Sequence, residues 1–338
     1  MLIGLCGSLC AGKTEVARYL ITEHNFTALG IARPSSYQIE AGVSTIQITQ
    51  NHEEVTEATL PPEAGNSSSS AYVVAPEHVF PDADALLDFV TKRWRVRFVT
   101  TDIWNESVLD VVYKRPLFML VSVDAPVLVR WGRFVQRCIQ QSKPSLSLEE
   151  FLLTSDARLY HPTLGLASVI HRATIKLLNP SSSLATLHST LSSLNLPDEE
   201  RLRPIWDTYF MTLSSLAARR SNCMKRRVGC VLVRAKRVIS TGYNGTPRGL
   251  DNCNEGGCSR CNIAAEGGAG LSTCLCIHAE ENALLEAGRE RVGGGATLYC
   301  DTCPCLTCAI KIVQVGVVEV VYAEGYSMDI AVSLEFIS

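Results

Sequence analysis

"CLCIHAEENALLEAG", Cys274 to Gly288, decides how the second half of this chain is read. It reads as the front of a helix that opens on a single histidine, His278, with a carboxylate, Glu280, two residues on. "CPCLTC", Cys303 to Cys308, follows after the short apolar strand "ATLYC". Pro304 suits a helix entry for "CLTCAIKIVQVG", and two cysteines three apart at a helix start present both sulfurs on one side. Upstream, "IWDTYFMTLSSLAARR" is an amphipathic helix, and "VGCVLV" and "RVISTGY" are two strands joined by "RAKR" at hairpin distance. "VVEVVYAE" is the last strand. A hairpin followed by helix, strand, helix and strand predicts an α/β/α layer whose later strands run parallel.

The chemistry follows from the same residues. Catalytic zinc takes about three protein ligands and keeps one position open for water. His278, Cys305 and Cys308 supply three, and the amide ends of the two helices favour thiolates. Glu280 is then free to act on water whose pKa the metal lowers towards about 7, carrying protons to a ring nitrogen and a leaving amine. H-x-E followed by P-C-x-x-C is the spacing of zinc-dependent base deaminases. A structural zinc knot, or a redox Cys-x-x-Cys beside an unrelated histidine, is the competing reading of the cysteines alone.

Composition narrows the classes. The chain has 338 residues, 46% of them hydrophobic and 19% charged, enough for two domains with their own cores. A net charge of -3 argues against nucleic acid as the main partner. No apolar run reaches membrane-spanning length. Fourteen cysteines without a secretory leader point to metal ligands or free thiols in a reducing compartment, the cytoplasm or alternatively the nucleus. Cys6, Cys10 and Cys138 lie in the first half, and the other cysteines crowd between Cys223 and Cys308, where His278 is the sole histidine.

The first half alternates strands and helices: "LIGLC", "KTEVARYLIT", "LFMLVSVD" and "APVLVRWGRFVQRCIQQ" in turn. Between "LIGLC" and the helix sits "GSLCAGKT", a complete G-x-x-x-x-G-K-[ST]. In that context Gly7, Gly12 and Lys13 cradle phosphates and Thr14 holds Mg²⁺. Pro61 to Glu77 is a Pro/Ser-rich loop within this half. The expected domains are 1–195, a P-loop α/β unit with a mostly parallel sheet, and 196–338.

From Trp206 onward the chain resembles the deoxycytidylate (dCMP) deaminases of the cytidine-deaminase superfamily. The resemblance rests on "SNCMKRRVGCVLV", "STGYNGTPRGLDNC", "IHAEENAL", "PCLTCAIKIVQVGV" and "VVYAEGY". It implies dCMP as substrate, a homo-oligomer, a hexamer favoured, and control by dCTP and dTTP. It also implies that Asn244 contacts the sugar, that Tyr326 lies near the phosphate, and that Arg226 or Arg227 carries the phosphate charge. Asn244 in a "YNG" turn reads equally as turn chemistry, and the arginines as a solvated face. By the same resemblance Gly242, Tyr243 and Gly245 belong to the effector region. A second, all-cysteine zinc is implied at Cys223, Cys253, Cys276 and Cys261, with Cys258 or Cys274 as alternates for the fourth ligand.

The first half resembles P-loop nucleoside-monophosphate and dephospho-coenzyme A kinases, an extension that fungal dCMP deaminases carry. "VSVDAP" followed by Arg130, Arg133 and Arg137 fits their strand and lid-like helix, although those arginines also fit a solvated stripe. No substrate-binding aspartate–arginine pair follows the first helix, and "IARPSSY" is a weak substitute. Nucleotide binding is therefore expected of this half ahead of phosphotransfer. Two other readings of the whole chain remain: a tRNA or single-stranded nucleic-acid deaminase, and a nucleotide kinase or sensor with a regulatory zinc domain.

Overall fold

The computed structural model describes residues 1–32, 74–162, 164–263 and 270–325, and the chain divides into two compact units, Met1–Leu202 and Arg203–Ser338. The expected boundary at 195/196 falls inside the first unit, because Leu196 is fully buried in its core and Leu202 packs against that core. Most of the Pro61–Glu77 loop, "IARPSSY" beyond Ala32, and Tyr326 lie outside the described residues.

The first unit is built on six strands: β1 (Leu2–Gly7), β2 (Thr27–Ile31), β3 (His78–Phe80), β4 (Phe98–Thr100), β5 (Phe118–Asp124) and β6 (Ile175–Leu178). Their order is β3-β2-β4-β1-β5-β6, and every neighbouring pair is parallel. Such a sheet is covered on both faces, so its strands are continuously apolar and alternate residues feed two cores. Ile3, Leu5, Met119 and Val121 pack with helices α1 (Lys13–His24) and α7 (Leu184–Leu194). Leu2, Cys6, Phe118 and Leu120 pack with α2 (Ala83–Lys92), α3 (Glu106–Val112) and α6 (Ala167–His171). Helices α4 (Val127–Gln140) and α5 (Leu148–Tyr160) enclose a smaller core around Phe134 and Phe151.

In the second unit, α8 (Trp206–Ala218) precedes the hairpin β7 (Gly229–Arg234) and β8 (Arg237–Tyr243). After the long cysteine-rich segment, which holds the one-turn helix α9 (Ser259–Asn262), come α10 (Ala279–Ala287), α11 (Arg289–Val292), β9 (Ala296–Thr302), α12 (Leu306–Gln314) and β10 (Val317–Glu324). The sheet order is β10-β9-β7-β8, with β7 antiparallel to both neighbours and β9 parallel to β10, as the sequence predicts. Alternation again sorts the layers. Cys230, Leu232, Leu298 and Cys300 face α10 and α12, whereas Val231, Val233 and Tyr299 face Phe210 of α8.

The hairpin closes on Ala235 and Lys236, both at positive φ, 48° and 61°. A two-residue turn of this hand matches the strand twist but normally takes Asn-Gly. Among the described residues no helix is long and apolar enough to cross a membrane.

Candidate active site and cysteine cluster

His278 is the N-cap of α10 and Cys305 the N-cap of α12, so two helix starts, delivered by different strands, meet at one point. The first helix is set by β8. Gly242 lies against Ala279 so closely that a Cβ on it would sit 2.0 Å from that carbonyl oxygen. Ser240 Oγ donates to Ala283 O at 2.8 Å, and Asn282 Nδ2 donates to Tyr243 O at 2.9 Å. A single β-bridge, Gly245 to Ile277, fastens the residue before His278 to the turn after β8. The second helix is set by β9 and by the Lys311–Glu281 ion pair, 2.7 Å, which ties α12 to α10.

This places His278 Nδ1 3.5 Å from Cys305 Sγ and 3.4 Å from Cys308 Sγ. Zn–N near 2.05 Å and Zn–S near 2.3 Å in a tetrahedron give N···S of about 3.5 Å, so the donors fit one zinc ion. With no ion among them, the hydrogen bond from Cys308 pulls the Cys305 thiol down to about 3, with His278 and Thr307 adding to it, and Cys308 is pushed up in return. Cys305 is therefore the thiolate of the pair, and Cys308 holds the proton the two sulfurs share. Glu280 is 5% exposed and stands in the first turn of α10. Burial raises its carboxyl above the ordinary range against the pull of His278. A carboxyl so held is a better proton acceptor than an exposed one.

The other predicted residues each make contacts within the fold. Asn244 is 8% exposed, and its amide is engaged. Oδ1 accepts from Ser221 Oγ and Val228 N at 2.7 and 2.8 Å, and Nδ2 donates to Arg226 O at 2.7 Å. Turn chemistry thus accounts for the contacts it makes here. Arg226 is exposed and pairs with Glu324 at 2.7 Å, while Arg227 is exposed without an ion pair among the described residues. Gly242 and Gly245 are set by close approach, the latter facing Asn222.

Cys223, Cys253, Cys261 and Cys276 do converge, their sulfurs all within 4.8 Å of one another. A second group of four, Cys258, Cys261, Cys274 and Cys276, meets the same limit. The sequence offered Cys258 and Cys274 only as substitutes for a fourth ligand; in the fold they accompany the set. All fourteen cysteines are free of disulfides.

In the first unit the Gly7–Thr14 loop runs from β1 into α1, beside the point where the sheet turns from β4 to β5. Gly7 and Gly12 have φ of 135° and 110°. A Cβ on Gly7 would strike Val123 O, and one on Gly12 would strike Asn179 Nδ2. Lys13 Nζ donates to Gly7 O and Ser8 O, both at 3.0 Å, and Thr14 is the second residue of α1. Two of the three α4 arginines are engaged by the fold and do not form a solvated stripe. Arg130 is buried, donating to Ala125 O and Ser155 Oγ. Arg133 donates to Cys10 O, Ala11 O, Asn179 O and Ser181 O, clamping the loop from behind.

One imidazole, two thiols and a buried glutamate on paired helix starts over a mixed sheet define the class of zinc-dependent deaminases. Residues 204–324 match the cytidine and deoxycytidylate deaminase zinc-binding region. The chain is 46% identical to the deoxycytidylate deaminase of Schizosaccharomyces pombe, across 97% of this chain and 91% of that one. It is 48% identical to the deoxycytidylate deaminase of Saccharomyces cerevisiae, across 73% and 80%. A solved dCMP deaminase of cyanophage S-TIM5, in complex with dCMP and dUMP, is 28% identical, covering 40% of this chain and 91% of that one with a TM-score of 0.32. The chain belongs to the deoxycytidylate deaminase family.

Proposed function

We propose that this protein converts dCMP to dUMP and ammonia by hydrolysis. The observation that carries the reading is the meeting of His278 Nδ1 with both thiols at 3.4 and 3.5 Å, beside the buried Glu280. A zinc ion held by His278, Cys305 and Cys308 supplies the Lewis acidity that makes water a nucleophile at neutral pH. Glu280 takes the proton from the attacking water and returns it to the ring nitrogen. It then takes the second proton from the newly formed hydroxyl and gives it to the amine, so that the C–N bond breaks, the carbonyl forms and ammonia leaves. Asn244 contacts the sugar, and Arg226 or Arg227 carries the phosphate charge as a guanidinium fork; the support is the bond from Asn244 Nδ2 to Arg226 O, which keeps these residues side by side. The experiment is ammonia release from dCMP, cytidine and an oligonucleotide. Turnover of dCMP alone, lowered about 10²–10⁴-fold in Glu280→Gln, is expected. Turnover near wild type in that variant removes Glu280 from its role.

Control by dCTP as activator and dTTP as inhibitor, in a hexameric assembly, extends the same reading. Its support is the position of Gly242 and Tyr243, which end β8, and of Gly245, which forms the bridge to Ile277. The first unit serves as a phosphate-binding domain for a nucleotide. The support is the Gly7–Thr14 loop itself, which runs from β1 into α1 and carries Lys13 Nζ against Gly7 O and Ser8 O.

A further inference from the structure

Six cysteines of the cysteine-rich segment form a packed cluster: Cys253, Cys258, Cys261 and Cys276 are buried, and Cys223 and Cys274 pack against them. The two four-sulfur groups share two members, Cys261 and Cys276. We propose that they hold a binuclear metal–thiolate centre: two zinc ions, with Cys261 and Cys276 bridging both. Cys223 and Cys253 complete one ion, and Cys258 and Cys274 complete the other.

Distance is the first argument. Four sulfurs at 2.3 Å around a tetrahedral zinc lie about 3.8 Å apart. Cys223–Cys261 and Cys261–Cys274 are each 3.8 Å, Cys261–Cys276 is 3.9 Å and Cys258–Cys274 is 4.0 Å. These spacings match the edges of zinc–thiolate tetrahedra, and none is a disulfide bond of about 2.05 Å. Cys261–Cys276 is the edge common to both groups, and no one group contains all six sulfurs.

Donor count is the second. One tetrahedral ion takes four thiolates and leaves two thiols stranded against a ligand. Two ions sharing an edge use all six and leave none. Charge follows the same way. Six thiols give up six protons, two Zn²⁺ return four positive charges, and the centre carries a net charge of -2. Arg260, only 8% exposed, lies against Cys274 and Cys261 and offsets part of it. Backbone amides point at terminal sulfurs as they do at thiolates: Met224 N to Cys253 Sγ and Leu275 N to Cys258 Sγ, both 3.4 Å. Without metal the segment from Asn244 to Cys276 has little regular structure, one four-residue helix and short 3-10 turns among the described residues, to hold it in place.

The test is metal content of the full chain, purified without chelators and measured per chain. The expected value is three equivalents of zinc, one at His278 and two here. Cys258→Ser with Cys274→Ser is expected to retain two. His278→Ala with Cys305→Ala and Cys308→Ala is also expected to retain two, which separates this centre from the active site. Cadmium-113 NMR of metal-exchanged wild-type protein needs no variant. It is expected to show two all-sulfur resonances split by each other through the bridging sulfurs. One all-sulfur resonance with two equivalents in total overturns the proposal. So does a Cys258–Cys274 disulfide, found as two missing thiols in unfolded, metal-stripped protein.

Discussion

A Cβ on Gly242 would come 2.0 Å from the carbonyl oxygen of Ala279, the first residue of α10. Strand and helix touch there without a side chain between them, and His278 rides on the contact. Gly242→Ala therefore has to lift the start of α10 off the sheet. Overpacking of this kind costs about 1–3 kcal/mol. Denaturant unfolding checks the cost, and zinc content checks the accompanying loss at His278. Wild-type stability together with full zinc occupancy contradicts the role given to this glycine.

The hairpin turn gives an opposite case. Ala235 is exposed at φ 48°, a conformation that disfavours a residue with a Cβ. Ala235→Asn suits the first position of such a turn, and Ala235→Gly relieves the Cβ contact altogether. Ala235→Asn is expected to stabilise the second unit by about 0.5–1 kcal/mol, with dCMP turnover unchanged. Thermal unfolding reads the gain.

Lys13→Ala is expected to abolish nucleotide binding to the first unit, measured by calorimetry, while deamination of dCMP persists. Arg133→Ala should loosen the same loop by a different route, because four carbonyl contacts go with it. It is expected to weaken binding about tenfold or more without removing Lys13. Unchanged affinity in both variants would show that the loop carries no phosphate.

Helix α5 opens on a capping box. Ser147 N and Oγ donate to Glu150 Oε2 at 2.7 and 2.8 Å, and Glu150 N donates back to Ser147 Oγ at 3.2 Å. The backbone amide first, then the hydroxyl, holds the Glu150 carboxyl below its ordinary value of 4.5. A lowered folded-state pKa means that the box stabilises the folded chain fully above about 4.5, and that this support fades as pH falls through the lower, folded value. Ser147→Ala removes one donor, and an NMR titration of Glu150 should show its pKa rise towards 4.5.

The active site was legible from spacing because each partner lies within a few residues of a helix start, where local structure alone fixes the direction of a side chain. His278, Glu280, Cys305 and Cys308 needed only the strand between them to be brought together. The parallel and antiparallel order of the second sheet was legible for a similar reason, from the alternation and lengths of its runs. The cysteine cluster was legible only in part. Cys223, Cys253, Cys261 and Cys276 were named, but the company of Cys258 and Cys274 depends on how an irregular segment folds back on itself, and no periodicity encodes that path. The engagement of Arg130 and Arg133 was not legible for a related reason. Helical spacing shows which residues share a face, yet it does not show that Cys10, Ala11, Asn179 and Ser181 bring their carbonyls to meet Arg133.

The bridge between Gly245 and Ile277 consists of two hydrogen bonds, 3.2 and 2.8 Å. Small as it is, it makes the turn at 244–247 and the imidazole of His278 two arms of one lever, with the strand edge as fulcrum. A push on the turn is transmitted to the ring one residue away and has no slack in which to dissipate. Substitutions there should accordingly register as altered reaction rate well before they register as unfolding.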